Sequence, residues 1–447
     1  MKERSIYQEG RGKLKAAVVT LGCKVNQFES ASFISSLRAR GIEVVPFPRK
    51  ADLYIINTCA VTIKAGAQSR QLVRRALKAN PEARLVITGC YAQVDSAGLM
   101  EITGYEACVV GNSYKHRLVE IALAADCCDL EMFLGDIREA REICSLPVRR
   151  FPGRTRAFLR LQDGCSNFCS YCIIPYTRGR SRSLLQEEAL KQLEVLLEEN
   201  YREIVLTGVH LGMYGHDLAE SVTFVDLLQK LLAAAPSTRF RLSSLEPAEV
   251  SKEILTLIRD RDNFMPHLHI PLQSGDQRIL TFMNRDYSPA FFEDVVEGIR
   301  SFSPEAAIGV DVLAGFPGED ETAFQNTVDL LERLPISYLH VFPYSKRPGT
   351  LAATMKNHVD PRVKQERTSI LRKIGLQKKH EFYSSFLGET REVLVEGKPA
   401  GDKGIRQGFT DNYISVRFEA SSDLINQVVP VSLRALQEEK VESVLQN

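Results

Sequence analysis

Three cysteines within eight residues constrain this chain more than any other feature of its sequence. Cys165, Cys169 and Cys172 are separated by three and then by two residues. Thiols at this spacing indicate a metal site rather than a disulfide, and structural zinc would need a fourth ligand that is missing at standard spacing. Three thiolates suit a 4Fe–4S cluster that leaves one iron open to a small molecule. The stretch therefore predicts iron–sulfur chemistry, with chance or structural thiols as the alternative.

The composition is that of an ordinary globular protein. The 447 residues are 44% hydrophobic and 25% charged, which is enough chain for two or three domains. No apolar run approaches the roughly 20 residues that span a bilayer, so we expect no membrane partner and a cytoplasmic location. Ten cysteines in such a chain indicate reduced thiols and metal ligation rather than a disulfide framework.

Basic residues cluster in three places, although the net charge is only +1. One acid, Asp163, accompanies eight arginines, at positions 149, 150, 154, 156, 160, 178, 180 and 182. Five basic residues and no acid lie between Val61 and Pro81, and six basic residues face two acids between Val363 and Phe382. Such clusters are candidate phosphate contacts, with solvated faces as the alternative.

The first 140 residues alternate strand-like and helix-like segments, which predicts a doubly wound parallel sheet. The predicted strands are Lys15–Leu21, Asp52–Asn57, Arg84–Thr88 and one that starts at Cys108. Cys23, Cys59 and Cys90 each follow a predicted strand by one or two residues. Because ligands bind at the carboxyl ends of parallel strands, these distant thiols are expected to converge on a second metal site. Buried, inert cysteines are the alternative.

From about residue 145 to 375 strand and helix alternate six times, which predicts a partial (β/α)6 barrel. The predicted strands are Ala157–Gln162, Glu203–Leu206, Phe240–Leu242, His267–Pro271, Ala307–Leu313 and Tyr338–Phe342. Polar residues or glycines after three of these strands are candidate cofactor contacts, with ordinary turns as the alternative: Thr207, Gly208, Ser243, Glu246, Gln273 and Ser274. His267 and His269 alternate along one strand and are expected to line the barrel rather than to bind a ligand.

Residues 384–447 change to short β segments separated by glycines, which predicts a small β-barrel. The segments are Arg391–Glu396, Asn412–Phe418 and Val428–Leu433. From Gly388 to Asn447 seven basic residues stand against ten acidic ones, a balance that disfavours binding of RNA phosphates by charge.

Along nearly its whole length the chain resembles the radical S-adenosylmethionine (SAM) methylthiotransferases. The motifs that carry the resemblance are TLGCKVNQ around Cys23, INTCAVT around Cys59, TGCYAQ around Cys90, CSNFCSYCIIPYTRGRSRS from Cys165, LQSGDQRILTFMNRDY at 272–287, AGFPGEDETAF at 314–324 and YSKRPGT at 344–350. The resemblance implies three domains: a methylthiotransferase domain at 1–140, a radical-SAM core at 145–375 and a TRAM-like barrel at 384–447.

The resemblance also implies two 4Fe–4S clusters. One would be held by Cys165, Cys169 and Cys172, and an auxiliary one by the cysteines at 23, 59 and 90. SAM would bind the open iron of the first cluster, with Tyr171 near its adenine and the polar strand-end residues around it. One SAM would methylate the sulfur and a second would be cleaved to the radical that activates the substrate carbon. An electron donor and a sulfur source, both unidentified, are implied as partners.

Such enzymes act on isopentenyl-adenosine in tRNA, on threonylcarbamoyl-adenosine in tRNA, or on an aspartate of a ribosomal protein. The residues KVNQ at 24–27 and SYCIIP at 170–175 resemble the threonylcarbamoyl branch, the MtaB type. The expected reaction is methylthiolation at C2 of adenosine 37 in the tRNA anticodon loop, where a base can be splayed out of its stack. The acidic carboxyl-terminal barrel favours the ribosomal-protein alternative. A third hypothesis is a non-catalytic iron–sulfur RNA-binding protein.

Overall fold

The structure is a computed structural model that describes residues 13–104, 106–124, 132–219, 221–397 and 404–446. The chain divides into two compact units. The first, which we call the amino-terminal unit, comprises Met1–Arg150, Gln162–Leu185 and Ser345–Thr350. The second, the barrel unit, comprises Phe151–Leu161, Gln186–Tyr344 and Leu351–Asn447. The Cys165–Cys172 segment therefore folds within the amino-terminal unit. The three predicted domain ranges stay a prediction.

A parallel sheet in the order β2-β1-β3-β4-β5-β6 forms the amino-terminal unit. Its elements are β1 Lys15–Thr20, α1 Lys24–Ala39, β2 Glu43–Val44, β3 Leu53–Thr58, α2 Ile63–Ala79, β4 Arg84–Gly89, α3 Cys90–Val94, α4 Ser96–Ile102, β5 Ala107–Val110, a 3₁₀ helix Asn112–Arg117, α5 Leu118–Leu123 and β6 Met132–Phe133. All six residues of β3 are buried, as expected of a central strand covered on both faces. The strand order reverses between β1 and β3, which is where doubly wound sheets bind ligands.

The central part of the chain contributes eight strands and eight helices in the described residues. They are β7 Ala157–Arg160, β8 Gln162–Asp163, α6 Ile174–Arg178, β9 Arg182–Ser183, α7 Gln186–Glu198, β10 Glu203–Thr207, α8 Phe224–Ala234, β11 Arg239–Leu242, α9 Lys252–Asp260, β12 His267–Gln273, α10 Gln277–Phe282, α11 Pro289–Phe302, β13 Ala307–Ala314, α12 Glu321–Arg333, β14 Tyr338–Pro343 and α13 Pro361–Ser384. Short 3₁₀ helices span Leu211–Met213, Pro247–Glu249 and Leu351–Ala353.

Six of these strands form the predicted partial barrel. They pair in parallel as β11-β10-β7 and β12-β13-β14. Two isolated bridges link these two sheets. Phe240 of β11 pairs with Phe264 before β12, and Ser244 after β11 pairs with His269 of β12. The predicted strand Ala157–Gln162 is shorter in the structure, because β8 leaves the barrel and pairs antiparallel with β9 instead.

The carboxyl-terminal residues form a closed five-stranded barrel, as predicted. Its strands are β15 Thr390–Val395, β16 Ile405–Thr410, β17 Ser415–Glu419, β18 Val428–Gln437 and β19 Lys440–Leu445, with a 3₁₀ turn Ser422–Leu424. They close in the order β15-β16-β17-β19-β18, so that no strand keeps an open edge. The inward side chains of Val393, Val416 and Val431 are completely buried. Among the described residues, no helix combines the length and the apolar character needed to cross a membrane.

Candidate functional site

Three cysteines lie just beyond the carboxyl ends of adjacent strands in the amino-terminal unit. Cys23 follows β1, Cys59 follows β3 and Cys90 follows β4. The strand register places Thr20 of β1 beside Asn57 and Thr58 of β3 beside Gly89. Because β1, β3 and β4 are neighbours in the sheet, the structure brings the three thiols to one edge, on the side of the topological switch point.

A glycine in the left-handed region precedes two of these cysteines. Gly22 has φ +103°, and a Cβ there would lie 3.1 Å from both the Cβ and the Sγ of Cys59. Gly89 has φ +98°, and a Cβ there would lie 2.3 Å from the carbonyl oxygen of Thr58. Only glycine allows both the backbone angle and this close approach. The Gly-Cys pairs therefore let two sharp corners bring Cys23 and Cys90 close to the Cys59 backbone.

The three thiols influence one another electrostatically. Burial, followed by the neighbouring Cys90 and Cys23, raises the pKa of Cys59 to about 11. Burial also raises the pKa of Cys23, and the positive charge of Arg178 opposes that increase. None of the three forms a disulfide. Burial thus favours the protonated form of Cys23 and Cys59, and a bound metal would displace these protons.

The spacing of these thiols does not fit a single ion. Zinc with Zn–S bonds of about 2.3 Å holds its sulfur ligands about 3.8 Å apart. Over the described parts of the chain, the one group of three His, Cys, Asp or Glu ligand atoms that all lie within 4.8 Å of one another contains no cysteine. A donor set of three more widely spread thiols fits the corners of a polynuclear cluster better than one tetrahedral ion.

A fully buried arginine lies beside this set. Arg178, at the end of α6, is 1% exposed, and its Nη1 donates to Glu29 at 3.0 Å and to Asp163 at 2.8 Å. Its Nη2 donates to Oδ1 of Asn26 at 2.6 Å. Burial alone would lower the pKa of Arg178, whereas Asp163, Cys90, Glu29 and Cys23 together raise it well above its ordinary value. The guanidinium is therefore a permanent positive charge among the strand-end thiols.

Asn26 holds the two chain segments of this site together. Its Nδ2 donates to the carbonyl oxygens of Leu21 at 2.8 Å and Thr58 at 3.0 Å. The first oxygen belongs to the corner before Cys23 and the second to the end of β3, directly before Cys59. One amide therefore fixes the distance between two of the three thiol-bearing corners, while its oxygen accepts from Arg178.

The buried network around Arg178 has three cations and two carboxylates, so one positive charge is in excess. Glu29 also binds Nζ of Lys115, and both side chains are at most 2% exposed. Asp163 accepts from Arg178 and lies 3.9 Å from Arg182. Removing either carboxylate would leave buried cations without a partner that they have now, which makes the network a strong constraint on geometry.

The other three cysteines lie on the loop between β8 and α6. The N–H of Cys165 donates to the carbonyl oxygen of Gly179 at 3.0 Å, and that of Cys172 to Cys169 at 2.9 Å. Gly164 has φ +76°, and a Cβ there would lie 1.9 Å from the carbonyl oxygen of Arg180. The loop is thus closed on itself by local backbone contacts, with all three cysteines and Tyr171 half-buried.

Six of the seven residues predicted to contact SAM lie in the barrel unit, at or just beyond the carboxyl ends of strands, whereas Tyr171 lies in the amino-terminal unit. β10 ends at Thr207 with Gly208 next, Ser243 and Glu246 follow β11, and β12 ends at Gln273 before Ser274. Within the described chain, the buried hydroxyl of Ser243 has no hydrogen-bond partner, so it is available to a ligand. Ser274 and Glu246 have structural partners, since Thr327 contacts the serine hydroxyl and Arg285 binds the carboxylate at 3.0 Å. Their role in binding SAM stays a prediction.

Two family models match the chain. The model described as "Uncharacterized protein family UPF0004" matches residues 15–111, which contain the strand-end cysteines. The model described as "Radical SAM superfamily" matches residues 159–331, which contain the Cys165–Cys172 loop and five of the six barrel strands.

Relatives match over nearly the full length. The "Threonylcarbamoyladenosine tRNA methylthiotransferase MtaB" of Bacillus subtilis (strain 168) is 39% identical over 93% of this chain and 92% of its own. The protein of the same name from Aquifex aeolicus is 38% identical over 92% and 98%. The chain belongs to the radical-SAM tRNA methylthiotransferases. A "tRNA-2-methylthio-N(6)-dimethylallyladenosine synthase" of Thermoanaerobacter pseudethanolicus is also 35% identical, over 96% of this chain and 92% of its own.

Solved structures agree on the fold. The radical SAM methyltransferase TsrM of Kitasatospora setae has a TM-score of 0.53 at 13% identity and covers 74% of this chain and 73% of its own. The cobalamin-dependent radical SAM enzyme OxsB has a TM-score of 0.52 at 11% identity, over 76% and 54%. The predicted α/β fold class, family and enzyme class are confirmed, and membership of this superfamily means that the methylthiotransferase uses SAM and a 4Fe–4S cluster.

For three arginines of this methylthiotransferase, the prediction of a place on a phosphate-binding surface is wrong. Arg160, Arg178 and Arg182 were candidate phosphate contacts, yet they are 3%, 1% and 4% exposed. They are buried inside the protein, so they are not part of a phosphate-binding surface. The structural roles of Arg178 and Asn26 were missed, because both depend on contacts across more than 30 residues of sequence. The only sequence signal was their place in cysteine-bearing motifs.

Proposed function

We propose that this methylthiotransferase adds a methylthio group to C2 of the adenine in N6-threonylcarbamoyladenosine at position 37 of tRNA. The reaction would use two SAM molecules and two 4Fe–4S clusters. The observation that carries the proposal is the presence of two separate sets of three cysteines in one compact unit, each one ligand short of a closed site. Relatives of 35–39% identity over at least 92% of this chain are named as enzymes of this reaction.

Cys165, Cys169 and Cys172 would hold the cluster that binds SAM, and the cysteines at 23, 59 and 90 would hold the auxiliary cluster. Bound there, the two groups supply an electron for SAM cleavage and a site for the sulfur. The protein positions the thiols through Gly22, Gly89 and Gly164, whose backbone angles no other residue adopts without strain. Asn26 and Arg178 keep the strand-end corners together, and Arg178 provides a fixed positive charge that offsets part of the charge of three thiolates.

Exposed side chains near these loops are suited to an RNA loop. Phe168 and Tyr176 are 49% and 44% exposed, and their rings contact each other edge to face at 6.0 Å. Aromatic rings in such a position can stack on an unpaired base. The exposed face of α2 carries Lys64, Arg74, Arg75 and Lys78 with no acidic residue in the helix, which favours phosphate contacts.

The substrate assignment is tested on tRNA of defined modification. The enzyme is reconstituted without oxygen and given SAM, dithionite and tRNA that carries either threonylcarbamoyl-adenosine or isopentenyl-adenosine. Mass spectrometry of nucleoside digests then measures the methylthio product of each. We expect product only, or at least tenfold faster, from the threonylcarbamoyl tRNA. Unmodified tRNA transcript is the matched control and should give none.

The isopentenyl substrate is the second candidate, because a dimethylallyladenosine synthase is 35% identical to this chain. Equal or faster product from isopentenyl tRNA would overturn the threonylcarbamoyl assignment and leave the methylthiotransferase family intact. If neither tRNA gains the group while SAM is still cleaved, the ribosomal-protein substrate becomes the leading hypothesis. Absence of SAM cleavage altogether would support the non-catalytic hypothesis.

A further inference from the structure

One face of the β12-β13-β14 sheet is unusually polar. On β12 the residues Leu268, Ile270 and Leu272 are completely buried on the opposite face. A Cβ on Gly375 of α13 would lie 2.9 Å from Leu339, so that opposite face is covered by the helix. Side chains alternate along a strand, and the remaining face therefore carries the histidines of β12 and β14. We call it the inner face.

Two histidines and one aspartate meet on this inner face. His269 is on β12, and Asp311 of β13 is the register partner of His340 on β14. Oδ1 of Asp311 lies 3.0 Å from Nε2 of His269 and 3.3 Å from Nδ1 of His340. The two imidazole nitrogens are 3.1 Å apart. Three ligand-type atoms thus form a nearly equilateral triangle.

Hydrogen bonds alone do not satisfy this triangle. If both imidazoles donate to Asp311, two N–H groups face each other along the third edge. If one imidazole donates its N–H to the other, that proton no longer points at the carboxylate of Asp311. In every tautomer at most two of the three edges are hydrogen bonds, whereas a cation above the triangle contacts all three atoms.

The dimensions fit a small divalent cation. Distances of 3.0, 3.1 and 3.3 Å place all three atoms about 2.1 Å from a point about 1 Å out of their plane, which is the length of Zn–N and Zn–O bonds. Two imidazoles and one carboxylate are a donor set that catalytic Zn²⁺ and non-haem Fe²⁺ sites use.

Neighbouring contacts also match a metal site. Nδ1 of His269 lies 2.8 Å from the hydroxyl of Ser244, a contact that fixes the ring and leaves Nε2 available as the ligand atom. Burial alone would raise the pKa of Asp311, yet contacts with His269 and His340 outweigh it and lower the pKa, so the carboxylate is ionised. The His340 side chain is 53% exposed, which gives an ion a path from solvent.

We propose that His269, Asp311 and His340 form a binding site for one divalent transition-metal ion, Zn²⁺ or Fe²⁺, separate from the cysteine sites. This replaces the sequence-based expectation that His269 only lines the barrel. The site lies wholly within the barrel unit and does not depend on which tRNA nucleoside is the substrate.

Zinc binding to the holoenzyme tests the site. Protein with reconstituted clusters is dialysed against Zn²⁺ without oxygen, and zinc and iron per chain are measured by elemental analysis. We expect one zinc per chain in the wild type. Affinity should fall more than about 100-fold in Asp311→Asn and His340→Ala and about 10-fold in Ser244→Ala, the range seen for outer-shell partners. Asp311→Asn keeps the side-chain shape, and exposed His340 tolerates truncation, so both variants should unfold at the wild-type temperature.

His358→Ala is the matched control, since this histidine is in the same unit but stacks on Tyr344 outside the triangle. Its zinc affinity should be unchanged. X-ray absorption at the zinc edge should show nitrogen and oxygen neighbours only. Sulfur neighbours would assign the zinc to the cysteines and overturn the proposal. A wild type that binds no stoichiometric zinc would also overturn it, and would mean that the triangle holds protons instead.

Discussion

The two sets each contain three cysteines, but the fold brings their members together in different ways. Cys165, Cys169 and Cys172 lie on one loop that its own backbone contacts close. Cys23, Cys59 and Cys90 come from three strand ends, 36 and 31 residues apart in sequence, and meet only because β1, β3 and β4 are neighbours in the sheet. The first set is a local site that the chain can form from one segment. The second exists only when the sheet is assembled.

This difference changes what each site depends on. The loop requires one glycine corner, at Gly164, whereas the strand-end set requires two, at Gly22 and Gly89, in addition to the Asn26 amide. Arg178 joins the two sets, because it binds Asn26 beside Cys23 and Asp163 two residues before Cys165. The comparison therefore predicts independent metal occupancy of the two sites, but a shared dependence on this arginine.

Loss of a loop cysteine should have the largest effect. Cys169→Ala is expected to abolish both SAM cleavage and methylthiolation, because the thiolate would be a cluster ligand. Iron should fall from about eight to about four per chain if the strand-end set holds its own 4Fe–4S cluster. The measurements are iron and sulfide analysis and 5′-deoxyadenosine formation. Retained SAM cleavage in this variant would show that the loop is not the site of that chemistry.

Loss of a strand-end cysteine should separate the two activities. Cys59→Ala is expected to lose methylthiolation and about four irons, while SAM cleavage stays within about threefold of wild type, because the two sites share no ligand. Cys108→Ala is the control, as this cysteine is buried in β5 of the same sheet. It should keep all the iron. If Cys59→Ala keeps both its iron and its methylthiolated product, the strand-end thiols are inert core residues.

The difference between the two sites also explains how much of this molecule could be predicted. The spacing of the loop cysteines was visible directly in the sequence, and alternation of strands and helices was enough to predict the sheet and the partial barrel. Short β segments separated by glycines predicted the carboxyl-terminal barrel. Convergence of the strand-end thiols could be inferred from their positions one or two residues after predicted parallel strands. The burial of Arg178 could not, because charge patterns do not reveal partners such as Glu29, which lies 149 residues away. Strands β2 and β6, of two residues each, are too short to give a periodic signal.

Removal of the arginine that joins the sites should affect both. Arg178→Met removes the guanidinium that binds Glu29 and Asp163, which keep only Lys115 and Arg182 as buried partners. We expect this to cost about 3–5 kcal/mol in the free energy of unfolding. Iron occupancy of both sites should fall, and Arg178→Lys should recover part of it. Chemical denaturation, iron analysis and electron paramagnetic resonance of the reduced clusters measure these effects.

Arg241→Met is the matched control for Arg178→Met. Arg241 is 2% exposed and pairs with Glu203 at 3.0 Å within the barrel unit. It should lose comparable stability and keep its iron. Equal iron loss in both variants would mean that Arg178 contributes general stability only, and the two cysteine sets would then be independent of each other.

The glycine corners offer the finest test, because each belongs to one site. Gly89→Ala places a Cβ 2.3 Å from Thr58 at φ +98°, which should cost about 1–3 kcal/mol and displace Cys90. We expect loss of methylthiolation and of strand-end iron, with SAM cleavage retained.

Gly164→Ala, whose Cβ would lie 1.9 Å from Arg180, should instead remove SAM cleavage. Gly104→Ala, at φ +62°, controls for backbone strain alone and should keep both activities, because no described residue beyond its chain neighbours has an atom within 4 Å of the added Cβ. If Gly89→Ala and Gly164→Ala lose the same activities, each glycine corner affects both sites, and the prediction that the two sites are occupied independently is wrong.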